Sequence, residues 1–263
     1  MNIASWNVNS LKVRAPQVLE WLTTQPATLL GIQELKQLDE AIDRPAIEQA
    51  GYRIIANAQK TYNGVAWMYP ARWPEPTDVV TDIPGLEDPQ RRVLAVSFGD
   101  LRVINLYVVN GEAVGSEKYE YKLRWLEALT RWLAEEAVRY SRRVVLGDFN
   151  IAPSDADVHD PEAWQERILC STPEREALDR ILETGLIDAF RRFDQPDNTF
   201  SWWDYRGGNF RRNRGLRIDL ILASDALVEE IRACRIDVEP RRWERPSDHA
   251  PVVMELDHPA PGG

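Results

Sequence analysis

The stretch Arg143-Val-Val-Leu-Gly-Asp-Phe-Asn150 decides how the chain is read. Val144, Val145 and Leu146 form the uninterrupted apolar run of a strand buried on both faces, and the run stops at a glycine, a carboxylate and an amide. A chain leaving such a strand delivers its next side chains into the crevice beyond the sheet edge. Asp148 and Asn150, two apart, point the same way if the backbone stays extended, and Phe149 between them points into the core. A carboxylate beside an amide at a strand end suits a water that must lose a proton. Taken alone, the stretch reads as a strand running into an ordinary turn, because Gly, Asp and Asn are turn residues. The rest of the chain changes that.

Other strands end in the same manner. Asn2 to Trp6 runs into Asn7-Val-Asn-Ser10, and Thr28 to Ile32 runs into Gln33-Glu34. Arg102 to Tyr107 closes on Tyr107 and leads into Val108-Val-Asn-Gly111. The strand Arg217 to Ala223 carries Asp219 within an apolar run, where a carboxylate needs a partner because desolvating it alone is expensive. Asp248-His249 stands just before the last strand, Val252 to Leu256. Oxygen ligands with one histidine and no cysteine suit a hard cation, Mg²⁺ or Mn²⁺, and are poor for structural zinc. A hard cation, a water-activating carboxylate and a cationic histidine are the parts needed for phosphodiester hydrolysis.

Further strands are predicted at Tyr52 to Ala56, Gly64 to Tyr69 and Arg92 to Phe98. Val18, Leu19 and Leu22 predict a helix over Pro16 to Thr24. Ser116 to Val138 carries the longest helical stripe, Tyr119, Leu123, Leu126, Leu129, Leu133 and Ala137. Another helix opens at Thr172-Pro173 and stops at Gly185. Pro70 to Pro89, with five prolines, reads as irregular connection, and 151–170 as a surface excursion. No repeat or low-complexity linker interrupts the pattern, so one α/β domain over 1–257 is expected, with 258–263 a frayed tail.

At 263 residues, 44% hydrophobic and 28% charged, the chain fits a globular protein with a substantial core. It has no apolar run of membrane-spanning length and no leader pattern, so a cytoplasmic location is expected. Cys170 and Cys234 have neither metal-ligand spacing nor the count of a disulfide framework, and read as buried or idle thiols. The net charge of −10 alone argues against a general nucleic-acid binder. Its distribution argues otherwise: Asp204 to Arg217 holds five arginines against one acid, directly after the aromatic cluster Thr199-Phe-Ser-Trp-Trp-Asp-Tyr205. Arg241, Arg242 and Arg245 lie just before Asp248-His249. An acidic body with one basic strip suits contact with a phosphate backbone along a single face.

Six stretches, Ser5-Trp-Asn-Val-Asn9, Gly31-Ile-Gln-Glu34, Ile104-Asn-Leu-Tyr107, Gly147-Asp-Phe-Asn150, Asn213-Arg-Gly-Leu-Arg-Ile-Asp219 and Pro246-Ser-Asp-His-Ala-Pro251, carry a resemblance. In their order the chain is similar to the exonuclease III family of abasic-site endonucleases, within the endonuclease/exonuclease/phosphatase superfamily. The resemblance implies a four-layered α/β/β/α sandwich with the site in a cleft at one end. It implies that Glu34 binds the metal, with Asn7, Asp248, Asp148 and Asn150 around it. Asp148 then takes a proton from, or orients, the attacking water, Asn150 holds that water and a phosphate oxygen, Tyr107 contacts the phosphate or leaving oxygen, and Asp219 orients His249. On the substrate side, Trp202, Trp203, Leu216 and Ile218 wall a pocket for a sugar without its base. Arg217, Asn110, Arg211, Arg212 and Lys60 reach the DNA backbone. The implied substrate is duplex DNA with abasic sites or blocked 3′ ends, cut by a monomer with added 3′ to 5′ exonuclease activity. Val109, Glu112 and Asn9 depart from the commoner pattern and leave open the balance of activities and the number of metals. The alternatives are a superfamily phosphodiesterase acting on a non-DNA phosphoester, and a DNA-binding protein with a dead site.

Overall fold

The structure, a computed structural model, describes residues 1–25, 28–258, 260 and 261. The chain opens with β1 (Asn2–Asn7), β2 (Thr28–Gln33), β3 (Tyr52–Asn57) and β4 (Val65–Pro70). It continues with β5 (Thr77–Val80), β6 (Val93–Phe98), β7 (Leu101–Tyr107), β8 (Arg143–Asp148), β9 (Leu186–Asp188) and β10 (Asp219–Ser224), then β11 (Ile231–Ile236) and β12 (Val252–Leu256). Two six-stranded mixed sheets result, ordered β11-β12-β1-β2-β4-β3 and β5-β6-β7-β8-β10-β9. Helices α1 (Leu11–Thr24), α2 (Arg44–Gln49), α3 (Glu117–Arg139), the one-turn α4 (Pro161–Trp164) and α5 (Thr172–Leu182) complete the elements.

Alternation along each strand builds the layers. In β8, Val144 and Leu146 enter the core between the sheets, while Val145 packs with α3 and α5. In β1, Ile3 faces between the sheets and Ala4 and Trp6 face α1. This is the expected α/β/β/α sandwich, with central strands apolar on both faces. Phe149 is fully buried, as its place between two polar neighbours predicts.

Several boundaries differ from the sequence reading. Helix α1 begins at Leu11, not Pro16, because Leu11 is buried against the sheet, and Pro16 sits inside the helix. The proline-rich segment holds strand β5, whose pairing with β6 is irregular and whose edge position tolerates exposed side chains. Strands β9 and β11 and helix α2 lack a strong period and were not foreseen. On α3 the buried stripe includes Trp125, Trp132, Lys122 and Glu136, whereas Leu123 and Ala137 are half-buried. Glu136 is paired with Arg102 of β7 at 2.6 Å. Of the expected frayed tail, His258 is instead held by Arg142 at 2.7 Å, and residues 259, 262 and 263 lie outside the described ones.

One buried amide joins the two sheets. Asn105 of β7 donates to the carbonyls of Ile32 (3.0 Å) on β2 and Ala66 (2.8 Å) on β4, and accepts from the Gln33 amide (2.8 Å). Room for this contact comes from Gly31, where a Cβ would lie 2.5 Å from Leu146 Cδ1 and 3.3 Å from Asn105 Cγ. Replacing Asn105 by Leu leaves two carbonyls and the Gln33 amide buried without these partners. Asn105→Leu should therefore lower unfolding free energy by about 2–4 kcal/mol in urea titration. A loss below about 0.5 kcal/mol, the range of ordinary surface changes, would remove the amide from that role.

Candidate active site

Register brings the polar strand ends together. In the second sheet Asp148 lies directly opposite Tyr107 of β7 on one side and Asp219 of β10 on the other. In the first sheet Asn7 pairs with Gln33, which places Glu34 one residue beyond the row. Gly147, with φ 147°, permits the turn out of β8, because a Cβ there would sit 1.9 Å from the Leu106 carbonyl oxygen.

Side-chain bonds then lock the row. The Asn7 amide nitrogen donates to Glu34 Oε1 (2.8 Å) and to Asp148 Oδ2 (2.9 Å), spanning the two sheets. Tyr107 donates its hydroxyl to Glu34 Oε1 at 3.0 Å, with the Arg92 guanidinium 4.8 Å over its ring. Burial first, then the charges of Glu34 and Asp148, push the Tyr107 phenol well above its ordinary value, so it remains a neutral donor. Lys36 reaches Glu34 Oε2 at 2.5 Å and Asn9 Oδ1 at 2.7 Å. Glu34 (φ 60°) and Asn150 (φ 49°) both hold the left-handed conformation that non-glycine residues rarely adopt, a strain typical of functional sites.

His249 is 4% exposed, its Nδ1 2.9 Å from Asp219 Oδ2 and its Nε2 3.8 Å from Asp148 Oδ2. Burial works against the imidazolium, but Asp219, Asp148 and Asp248 overcome it and hold the pKa up at about 10. Asp219 is itself fixed by the Ser201 hydroxyl at 2.6 Å. Burial raises Asp148 to about 7, with the His249 charge and the Asn7 amide opposing that rise and Asp219 and Glu34 adding to it. The carboxylate is thus poised near neutrality, where a general base is most effective.

Glu34, Asp148 and His249 bring ligand atoms within 4.8 Å of one another. Two carboxylates held by the Asn7 amide and the Tyr107 phenol, with the Lys36 ammonium beside Glu34, are the oxygen donors that suit a hard divalent cation. A protonated His249 held by Asp219 is an N–H donor rather than a ligand, so the cation side of the group is Glu34 and Asp148.

Several expectations need correction. Asp148 and Asn150 do not share a direction: the backbone turns at Asn150, whose N–H donates to Asp148 Oδ1 at 2.9 Å, so the turn reading of the stretch also holds. The Asn150 side chain donates to Val108 O and accepts from Asn110, both at 3.0 Å, and the Asn7 oxygen accepts from the Asn9 N–H, each carbonyl oxygen keeping a second lone pair. Asp248 is engaged by Asn9 (3.0 Å) and Trp202 (3.1 Å), away from the cation group. Burial tends to raise its pKa, but His249 and these donors hold it below the usual range. Arg217 is 1% exposed and bonded to Asp157 (2.6 Å) and Asp188 (2.7 Å), out of reach of DNA; its charge is used to stitch loop 154–158 to the sheet. Trp203, Leu216 and Ile218 are buried; the last two pack with Val158, Leu169 and Cys170, and Trp202 packs against that same cluster. Trp202 remains half-buried beside His249, ring centroids 6.5 Å apart, while Asn110, Lys60, Arg211 and Arg212 are exposed.

Three contributors escaped the sequence reading. Lys36 had a signal, a lysine two residues past Glu34. Lys122 interrupts an apolar stripe: its buried ammonium donates to the carbonyls of Asn150 (2.7 Å) and Asn110 (3.2 Å) and pairs with Glu174, tying both site loops to α3 and α5. Burial lowers its pKa, with Glu174 opposing. Ser247 donates to the Asn7 carbonyl (2.7 Å) and receives the His249 N–H, but an isolated serine carries no sequence signal.

Fold and site together define a phosphodiesterase built on two packed sheets around a carboxylate centre for a divalent cation. The sequence profile of the Endonuclease/Exonuclease/phosphatase family matches residues 4–249. Exodeoxyribonuclease III of Haemophilus influenzae is 35% identical over 97% of this chain and all of its own length. The 3′ phosphatase NExo of Neisseria, solved with a product DNA hairpin, is 46% identical with a TM-score of 0.94, over 98% of this chain and all of that one. An AP endonuclease from Archaeoglobus fulgidus is 34% identical with a TM-score of 0.91 over the same shares. The chain belongs to the endonuclease/exonuclease/phosphatase family, in its exonuclease III-like branch. It is a DNA-repair phosphodiesterase of the exonuclease III/AP endonuclease type.

Two outcomes test the site. In Asp219→Asn, burial loses its main opponent, so the His249 pKa read by NMR should fall from about 10 toward 6.5 or below, with kcat reduced by about 10²-fold at neutral pH. The sign for stability follows: what His249 contributes is complete below about pH 6.5 and drains away as pH rises toward 10, and Asp219→Asn should lose that dependence. An unmoved His249 titration would refute the pairing. Lys122→Met should cost about 3–5 kcal/mol in urea unfolding because Glu174 is left buried without its counter-charge, and adding Glu174→Gln, which keeps an acceptor for the Leu169 and Ser171 N–H groups, should restore part of it. Equal losses in the single and double variants would assign the cost to packing instead.

Proposed function

We propose that the chain hydrolyses DNA phosphodiesters 5′ to abasic sites and at blocked 3′ ends, as a monomer, with Mg²⁺ or Mn²⁺ held by Glu34 and Asp148. When bound, such an ion supplies charge stabilisation for the phosphoryl oxygens and leaving group. Asp148, ionised near neutrality and oriented by Asn7 and the Asn150 N–H, accepts the proton of the attacking water. Protonated His249, steadied by Asp219 and Ser201, offers its Nε2 hydrogen to a phosphoryl oxygen as negative charge develops. Tyr107, kept neutral, holds Glu34 and presents a phenol to the same side. Exposed Lys60, Asn110, Arg211 and Arg212 meet the DNA backbone, and Trp202 meets the sugar. The observation that carries this reading is the placement of His249 Nε2 3.8 Å from Asp148 Oδ2, with Asn7 linking that carboxylate to Glu34.

A second reading weighs the two reactions differently. Leu216 and Ile218, expected to wall the sugar pocket, are buried in an apolar cluster with Leu169. A closed wall favours a terminal 3′ phosphate or nucleotide over an extruded internal sugar, and the similar Neisseria structure is described as a 3′ phosphatase.

One experiment covers both. Asp148→Asn should lower kcat at least about 10²-fold on a duplex with a synthetic abasic site and on a nicked 3′-phosphate duplex, while DNA affinity stays within about threefold. Uncut DNA from the unaltered protein under every metal condition would sink the proposal. The rate ratio of the two substrates in that protein decides between the readings, abasic cleavage above 3′-phosphate removal refuting the second.

A further inference from the structure

The segment that carries Trp202 has a second side. Trp202 stands beside His249, and the next residue, Trp203, lines a recess of about 890 Å³. Consecutive residues of extended chain point to opposite sides, so one segment separates the catalytic face from this recess. Phe210 and the guanidinium groups of Arg211, Arg235, Arg241 and Arg242 line it, with no carboxylate among the lining residues. Asn198 and Asn213 also line a neighbouring recess of about 520 Å³, where Arg212 and Arg214 stand with His159 against one acid, Asp160. The two recesses therefore adjoin across Asn198 and Asn213, and neither includes Glu34, Asp148 or His249.

Six arginines along one track are unusual in a chain of net charge −10. Arg235 is paired with Glu255 at 3.0 Å and Arg242 with Glu239 at 3.5 Å. Among the described residues Arg211, Arg212, Arg214 and Arg241 make no ion pair. Arg241 is 5% exposed; its guanidinium donates to the Ser247 carbonyl, while its buried Nε has no hydrogen-bond partner. Its guanidinium lies 4.7 Å from the Phe210 ring centroid, with Arg242 at 5.8 Å. Leaving a cation desolvated without an anion is costly, and an anion in the recess relieves that cost.

We propose that this track is a second nucleic-acid site, for an unpaired strand, which starts where Arg211 and Arg212 meet the duplex backbone and runs away from the catalytic row. Arginines spaced along a groove follow successive phosphates. The half-buried Phe210 ring and the Arg242 guanidinium plane give a base something to stack on, and a paired base has no face to offer. A duplex, with its bases stacked inward, gains only the charge contacts. A single strand continuing from a gap or overhang can lie in the track while its paired part occupies the catalytic side.

The test uses the whole protein in chelator, with a fluorescein-labelled ten-nucleotide dT strand followed by anisotropy over a salt series. Arg242→Glu and Phe210→Leu should each weaken that strand about 5-fold or more, and Arg242→Glu should flatten the slope of log affinity on log salt by about 0.7, one phosphate contact. Both should leave binding of a blunt duplex and Mg²⁺-supported cleavage of an abasic-site duplex within about twofold, since neither residue touches the catalytic row. Arg131→Glu, the same charge change on the exposed face of α3, should leave the dT strand unaffected. The proposal is overturned if both track variants bind the dT strand normally, if Arg131→Glu matches them, or if duplex binding falls equally. Displacement of the dT strand by dTMP at comparable concentration would also overturn it, in favour of a mononucleotide product site. Loss of Mg²⁺-supported cleavage alongside weakened strand binding would also overturn it, because the track and the catalytic side would then be one surface.

Discussion

The amide of Asn105, reaching from one sheet to two carbonyls of the other, is the constraint on which the site depends. Two sheets packed by apolar side chains alone can slide, because dispersion is nearly indifferent to direction. Hydrogen bonds are not, and Asn105 with Gln33 fixes where β7 lies against β2 and β4. Tyr107 follows Asn105 by two residues and Glu34 follows Gln33 by one. The contact that aligns the sheets therefore also sets the distance between phenol and carboxylate.

The site then works by opposing neighbouring charges. Two carboxylates face each other across β8 and β10, an arrangement that would repel if both stood bare. His249 lies between them, bonded to Asp219 and close to Asp148, and one imidazolium meets both demands. Burial strengthens each of these interactions, and it is also why Asp148 remains basic enough to take a proton.

Much of this was legible in the chain. Apolar runs that end on, carry or follow polar residues located six of the strands and the row they form, and an aspartate in a buried strand required a partner, which proved to be His249. The roles of Asn150 and Asp248 were harder. Extended-chain geometry assumes no turn, and Asn150 turns at a positive φ. Asp248 looked like a metal neighbour because sequence adjacency to His249 says nothing of Asn9 and Trp202, which claim its oxygens. Arg217 shows a limit of charge counting: within an arginine cluster, the one just before β10 is buried and paired, and its partners Asp157 and Asp188 are distant in sequence.

Lys36 gives the site a property beyond catalysis. Its ammonium lies on Glu34 while the Asn7 amide holds both carboxylates, so the protein carries its own counter-charge at the place where a cation is to bind. In structural zinc domains the ion is the folding energy, and its removal dissolves the fold. Here Lys36 and Asn7 hold the two carboxylates with a charge and a donor that the chain itself supplies, so the framework of the site does not wait on an ion to be built.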